Sequence, residues 1–165
     1  MELSLRQASQ NEIEEAFKML KEAAEWIKHK DIDYWQDWHN PPENFKEWIR
    51  EGFRNDQFYF VENNEEVIGM FRIQYEDELF WGKRIEKAGY IHSFTTNRRY
   101  KGVGIGYKIL KIVEEKLKNE GIGLLRLDCS SRVSDLCRYY EKYGFKVVGN
   151  MELFGDLLSL YEKVL

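Results

Sequence analysis

The chain has almost no cysteine: two residues, Cys129 and Cys137, among 165. Neither has metal-ligand spacing around it, and two thiols do not make a disulfide scaffold, so the composition fits a reducing compartment. No apolar run approaches the ~18 residues of a membrane span. The opening Met1-Glu2-Leu3-Ser4-Leu5-Arg6 has no apolar signal-peptide core. Both observations predict a cytoplasmic protein with no membrane partner. Positive charge is also short. The formal net charge is −4, which argues against nucleic acid as the main partner, because neutralising phosphates takes a basic face. Repeats, low-complexity tracts and linkers are missing, and the length predicts one domain over 1–165. What is present is ordinary for a globular chain: 43% hydrophobic, 33% charged and 15% aromatic, enough for a sizeable core.

Against this background one run stands out, Tyr100-Lys101-Gly102-Val103-Gly104-Ile105-Gly106. A strand-like run, Tyr90 to Thr96, precedes it. A helical stripe of Ile105, Ile109, Ile112, Val113 and Leu117 follows it. The glycines therefore sit between a strand and a helix N-terminus. Glycine turns tightly and lets a ligand reach the amides with no Cβ in the way. Free N–H groups and the helix dipole favour an anion there. Arg98, Arg99 and Lys101 add cationic charge, so the run reads as a pyrophosphate cradle. It is not a P-loop, which needs Gly-x-x-x-x-Gly-Lys and then Ser or Thr. A dinucleotide fingerprint starting at Gly102 needs a third glycine at position 107, where Tyr107 stands. A plain tight turn between strand and helix is the alternative on glycine spacing alone.

The other elements follow from periodicity and punctuation. Leu3 and Leu5 mark a short strand. Ser9-Gln10-Asn11-Glu12 is a capping box opening a helix with Ile13, Ala16, Phe17, Leu20, Ala24 and Ile27 on one stripe. Asn40-Pro41-Pro42-Glu43 starts a second helix through about Glu51. Strands are predicted over 58–62 and 67–74 with a turn at Asn63-Asn64, then at 88–96, 124–129, 145–148 and 157–164. Helices are predicted over 105–119 and 134–143, the second stopped by Gly144. The order β-α-α-β-β-β-α-β-α-β-β predicts an α/β fold, a mixed sheet with helices on both faces.

The stretch from Phe94 to Phe145 resembles the GCN5-related N-acetyltransferases, the GNAT superfamily. Their signature is Arg/Gln-x-x-Gly-x-Gly/Ala between a strand and a helix, matched by Lys101-Gly102-Val103-Gly104-Ile105-Gly106 with Lys101 in the Arg/Gln place. A second family motif, a short helix ending Leu-Tyr-Glu-Lys-x-Gly-Phe, is matched by Tyr139-Tyr140-Glu141-Lys142-Tyr143-Gly144-Phe145. The resemblance implies a GNAT-like mixed twisted sheet of about seven strands and acetyl-CoA as co-substrate. It implies that Phe94 and Thr96 offer backbone groups to the pantetheine arm. Lys101, Gly102, Val103, Gly104, Ile105 and Gly106 would hold the pyrophosphate, and Asp128 would lie on a strand splaying away. Tyr140 would sit near the thioester sulfur. The sequence departs from the family at Val133, where an asparagine often bonds the pantetheine amide; Ser131 or Ser134 stand close by as substitutes.

Acetyl transfer to an amine needs a neutral nucleophile, stabilisation of the carbonyl oxygen and a proton for the thiolate. Tyr140 is the candidate acid, or else one packing residue of a tyrosine-rich helix end. Asp128 is the first candidate base, or else a partner of Arg126. His92 is the second, because histidine titrates near neutrality without tuning. Glu76 and Glu78, with Asp77 between them, are candidates for drawing in a cationic amine, or form a solvated turn. Trp35 and Trp81 are candidates for the acceptor pocket, or are core anchors. No metal site is expected. The function so implied is an N-acetyltransferase acting on a primary amine of a small molecule or peptide, by direct attack in a ternary complex. A homodimer is compatible with this reading. The alternatives are a non-catalytic acyl-CoA-binding or sensor domain, and a Rossmann-type nucleotide protein.

Overall fold

A computed structural model describes all of residues 1–165. The strands are β1 (Leu3–Gln7), β2 (Phe58–Asn63), β3 (Glu66–Gln74), β4 (Gly89–Thr96), β5 (Leu124–Ser130), β6 (Lys146–Leu153) and β7 (Asp156–Val164). The helices are α1 (Ile13–Lys28), α2 (Glu43–Arg54), α3 (Glu78–Trp81), α4 (Ile105–Asn119) and α5 (Ser134–Tyr143). The strands form one seven-stranded mixed sheet in the order β1-β2-β3-β4-β5-β7-β6. The predicted elements all appear in the predicted order, with one element added and one difference of extent. The acidic, aromatic segment after β3 contains a four-residue helix, α3, and the last two strands are a longer hairpin than expected. Its turn, Phe154-Gly155, has φ of 51° and 74°, as a tight two-residue hairpin with the natural sheet twist requires.

The chain partitions into two compact units. One comprises Met1–Arg72 and Ser93–Ile109, the other Ile73–His92 and Leu110–Leu165. In the first, α1 follows the predicted box: the Glu12 carboxylate accepts from the Ser9 N–H at 2.8 Å, and Arg6 clasps the same carboxylate. The helix buries Ala16, Leu20 and Ala24 completely, as its stripe predicted. Its core also takes Ile49 and Phe53 of α2 with Phe58 and Phe60 of β2. Gly52 lies in the last turn of α2. A Cβ there would meet the Phe58 ring at 2.4 Å, so close packing of helix on strand selects glycine at this point.

The second unit is built on the antiparallel ladders β5–β7, from Leu124↔Val164 to Ser130↔Leu158, and β6–β7. Trp81, Ala88, Tyr90 and Leu160 form its buried cluster. Burial along each strand alternates where one face is solvated, as in β6, and is continuous where both faces are covered.

Candidate active site

Parallel pairing of β4 with β5 consists of Gly89↔Leu125 and Tyr90↔Arg126. Two residues beyond the last pair on each strand stand His92 and Asp128. Because side chains alternate with a period of two, Tyr90 and His92 share one face of β4, and Arg126 and Asp128 share one face of β5. The contacts follow: Arg126 Nη1 donates to the Tyr90 hydroxyl at 2.7 Å, and His92 Nδ1 lies 4.0 Å from Asp128 Oδ2. Directly after His92, Ser93 has φ of 52°, the left-handed region that a non-glycine strand residue rarely adopts. Such an outlier in a strand re-aims side chains, and it recurs beside functional sites.

The third member of the site is Asp77. The acidic run 76–78 does not act as a unit. Glu76 and Glu78 are exposed, whereas the Asp77 side chain is 3% exposed and caps α3, accepting from the Phe80 N–H at 3.3 Å through Oδ1. Its other oxygen, Oδ2, lies 2.7 Å from His92 Nε2. The Phe80 ring tilts against the imidazole with centroids 4.5 Å apart. His92 and Asp128 are 9% and 8% exposed at the side chain. An aspartate immediately before Glu78-Leu79-Phe80-Trp81 has the composition of a helix N-cap, and that was the signal in the sequence for it.

Burial raises the Asp128 carboxyl to about 6, and the nearby Asp77 charge pushes the same way; His92 and Trp81 pull against them. Asp128 Oδ2 and Trp81 Nε1 are both buried without a hydrogen bond. The indole N–H is close enough to favour the carboxylate, but its geometry falls short of a bond. Arg126 is not the partner of Asp128. It donates to Glu162 at 2.8 Å and sits over the Trp81 ring at 5.0 Å.

The raised carboxyl has a consequence for stability. In the folded chain Asp128 holds its proton more tightly than in the unfolded chain. Its contribution is therefore full below pH ~4 and is lost as pH rises through about 6. At pH 8 the ionised group costs about 3 kcal/mol. Thermal unfolding between pH 4.5 and 7.5 should show this fall, and Asp128→Asn should flatten it. An unchanged pH slope in the variant would show that other groups set it.

The glycine run forms the expected turn into α4. Gly102 and Gly104 have φ of 84° and 70°, and a Cβ built on either meets nothing within 4 Å. Gly106 lies inside the first turn of α4 and needs no left-handed backbone. Lys101, Gly102, Val103 and Gly104 are exposed and Ile105 is buried. Two of the three nearby cations are engaged elsewhere: Arg98 stacks on Trp26 at 3.5 Å, and Arg99 pairs with Glu66. On β4, Phe94 and Thr96 are half-buried and alternate with buried Ser93 and Thr95.

Tyr140 is 7% exposed on α5, its ring packed against Tyr139, Phe145 and Tyr161. Trp81 is 2% exposed, so it backs the site from the core and does not present an open wall. Trp35 has φ of 61° and packs on the core of the first unit beside Tyr34. Val133 is buried at the start of α5, its carbonyl accepting from the Leu136 and Cys137 amides. Of the two serines near it, Ser131 donates to the Leu157 carbonyl at 2.8 Å, and Ser134 is the first residue of α5. Cys129 and Cys137 lie 3.7 Å apart as free thiols, and burial pushes the Cys129 thiol up, against thiolate chemistry. The ligand atoms of Asp77, His92 and Asp128 fall within 4.8 Å of one another. The two carboxylates, however, address opposite nitrogens of the imidazole. That arrangement holds a ring, whereas one metal ion binds one ring nitrogen.

The sequence model of the acetyltransferase (GNAT) family matches residues 20–145. The chain belongs to the GNAT acetyltransferase family and is an acyltransferase. It is 24% identical over 142 residues to the uncharacterized N-acetyltransferase YesJ of Bacillus subtilis (strain 168), covering 79% of this chain and 74% of that one. A crystal structure of a GNAT-family acetyltransferase from Listeria monocytogenes superposes with a TM-score of 0.81 at 22% identity, over 100% of this chain and 96% of that one. The aminoglycoside acetyltransferase AAC(6')-Ib in complex with coenzyme A superposes with a TM-score of 0.73 at 17% identity, over 99% and 95%. No helix is long and apolar enough to cross a membrane.

Proposed function

We propose that the chain transfers the acetyl group of acetyl-CoA to a primary amine of a small molecule or peptide, by direct attack in a ternary complex. The observation that carries this reading is the meeting of His92 and Asp128 at the point where β4 and β5 part. Acetyl-CoA is the co-substrate, as the solved CoA complexes of like fold support. The amides of 101–106 hold its pyrophosphate, and the backbone of Phe94 and Thr96 binds the pantetheine arm. Gly102 and Gly104 leave open the space that such a ligand would occupy.

The chemistry follows from the groups present. An ammonium gives one proton to the His92/Asp128 site, and the freed lone pair attacks the thioester carbonyl carbon. A C–N bond forms and the C–S bond breaks. The thiolate takes a proton from the Tyr140 hydroxyl, and the nitrogen sheds its second proton, which restores that hydroxyl, to give the amide. Glu76 and Glu78, exposed near the N-terminus of α3, favour approach of a cation. Kanamycin, bound to AAC(6')-Ib, and the Gag peptide, bound to the NatC complex, both present such amines. Thiol release from acetyl-CoA across a panel of polyamines, aminoglycosides and peptides tests the proposal. Tight CoA binding with no release on any of them would overturn it in favour of an acyl-CoA-binding role.

Tyr140→Phe keeps the ring and its packing on Phe145 and Tyr161, so the fold should survive. The variant should lower kcat ~10–100-fold, the low end for a lost general acid, because a CoA thiolate leaves fairly well unaided. KM for acetyl-CoA should barely change, since the lost interaction belongs to the transition state. A normal kcat on the best acceptor would leave Tyr140 as a packing residue only.

A further inference from the structure

We infer that Asp77 is a positioning residue that fixes the tautomer of His92, with the proton on Nε2 and the lone pair of Nδ1 turned towards Asp128. This deepens the acetyltransferase reading and rests on it for the direction of proton flow. Three observations carry it. Asp77 is locked by its own structural duty, since Oδ1 accepts from the Phe80 N–H and holds the side chain in one rotamer. Oδ2 is thereby held 2.7 Å from His92 Nε2. A carboxylate only accepts, so at that distance Nε2 is the donor and Nδ1 carries the lone pair. The ring has little freedom to flip, because Phe80 covers it and its side chain is 9% exposed.

The consequence lies on the other side of the ring. Nδ1 faces Asp128 Oδ2 at 4.0 Å, and that oxygen is buried with no hydrogen-bond partner. Two acceptors facing each other in a poorly hydrated site repel until a proton or an N–H comes between them. Two carboxylates meet His92, Asp77 from α3 and Asp128 from β5. Arg126, further back along β5, is committed to Glu162 and Tyr90. The proton leaving the substrate ammonium therefore goes to Nδ1. The resulting imidazolium lies between two carboxylates, so its charge is compensated on both sides. Asp77, 3% exposed and bonded to Nε2, acts through the imidazole.

Asp77→Asn tests this, because asparagine is a good N-cap of the same shape and keeps α3. Its amide NH2 would donate to Nε2, moving the imidazole proton to Nδ1 and removing the acceptor. In a comparable exchange of the carboxylate behind a catalytic histidine, the wrong tautomer costs ~10⁴ in kcat. Here we expect a kcat loss on the order of 10²–10⁴-fold, with KM for acetyl-CoA within a factor of two. Adding Asp77→Asn to His92→Ala should cost nothing more. Nitrogen NMR of the wild-type imidazole at alkaline pH, assigned with His92→Gln, reads the tautomer without any acceptor amine. A proton on Nε2 in the wild type and on Nδ1 in Asp77→Asn is the expected pair of results. A wild-type proton on Nδ1, or a kcat within threefold of normal in folded Asp77→Asn, would overturn the inference. The expected tautomer without turnover on any amine would instead overturn the acetyltransferase reading alone. If Asp77→Asn fails to fold, the wild-type spectrum still decides.

Discussion

Gly104→Asp should weaken CoA binding by on the order of 100-fold while leaving the protein folded. A Cβ at this position meets nothing within 4 Å, so no neighbour is displaced. The backbone φ of 70° costs an L-residue ~1–2 kcal/mol, tolerable for a chain of this size. The space a side chain would fill is the approach to the amides of the turn. Hydrogen bonds from those amides to a charged phosphate are worth about 1.5–3 kcal/mol each, and 2.7 kcal/mol corresponds to ~100-fold in affinity. The aspartate charge adds repulsion. Lys101→Ala removes one exposed cation and should cost less than ~10-fold. Titration calorimetry with CoA distinguishes the two. Should Lys101→Ala prove the more damaging in folded protein, the amides would not be the main phosphate ligands.

Arg72→Ala should lower stability by about 3–5 kcal/mol, because it leaves buried acceptors unpaired at ~1–3 kcal/mol each and removes a large buried side chain. Arg72 is fully buried on β3, where its neighbours in sequence are apolar. Its guanidinium donates to Gln57 Oε1 twice, at 2.9 and 2.6 Å, and to the Trp48 carbonyl at 2.9 Å. It also stacks on the Trp48 ring at 4.1 Å. Alanine strands both acceptors and opens a cavity. For a chain of this length the midpoint of thermal unfolding should fall by roughly 10 °C. Arg50→Ala, which breaks exposed pairs with Glu43 and Glu47, should change it by no more than a degree or two. Equal effects from the two variants would contradict the idea that burial sets the cost.

These two positions show what was legible in the chain and what was not. Gly104 was readable because local geometry alone selects it: a turn from strand to helix needs glycine wherever it ends up in space. The element order was readable for the same reason, since the capping box, the α1 stripe and the hairpin turns are all local signals. Arg72 was not, because an arginine in an apolar strand looks the same whether it snorkels or is buried under α2. His92 and Asp128 could be named from residue type and family position. Their meeting could not, because it depends on where β4 and β5 stop pairing. Asp77 lay within an acidic run that read as a single patch. Only the four-residue helix α3 separates it from its neighbours and turns it inward. Trp81 read equally as a pocket residue or a core anchor, and that same short helix carries it into the core.

Trp81 gives the site an optical property. It is the one buried tryptophan of five, the others being half-exposed. Its indole crosses Tyr90 edge-on, lies against Arg126, and points an unbonded N–H towards the neighbourhood of Asp128. A shielded indole emits at the blue edge of the spectrum, and its excited-state dipole responds to any charge that appears or vanishes close by. Ionisation of the Asp128 carboxyl should therefore shift the intrinsic fluorescence of the protein, in the band that solvent quenchers reach least. A titration followed by emission, with Asp128→Asn as the control, would read the protonation state of the centre in the resting protein, before any substrate is added.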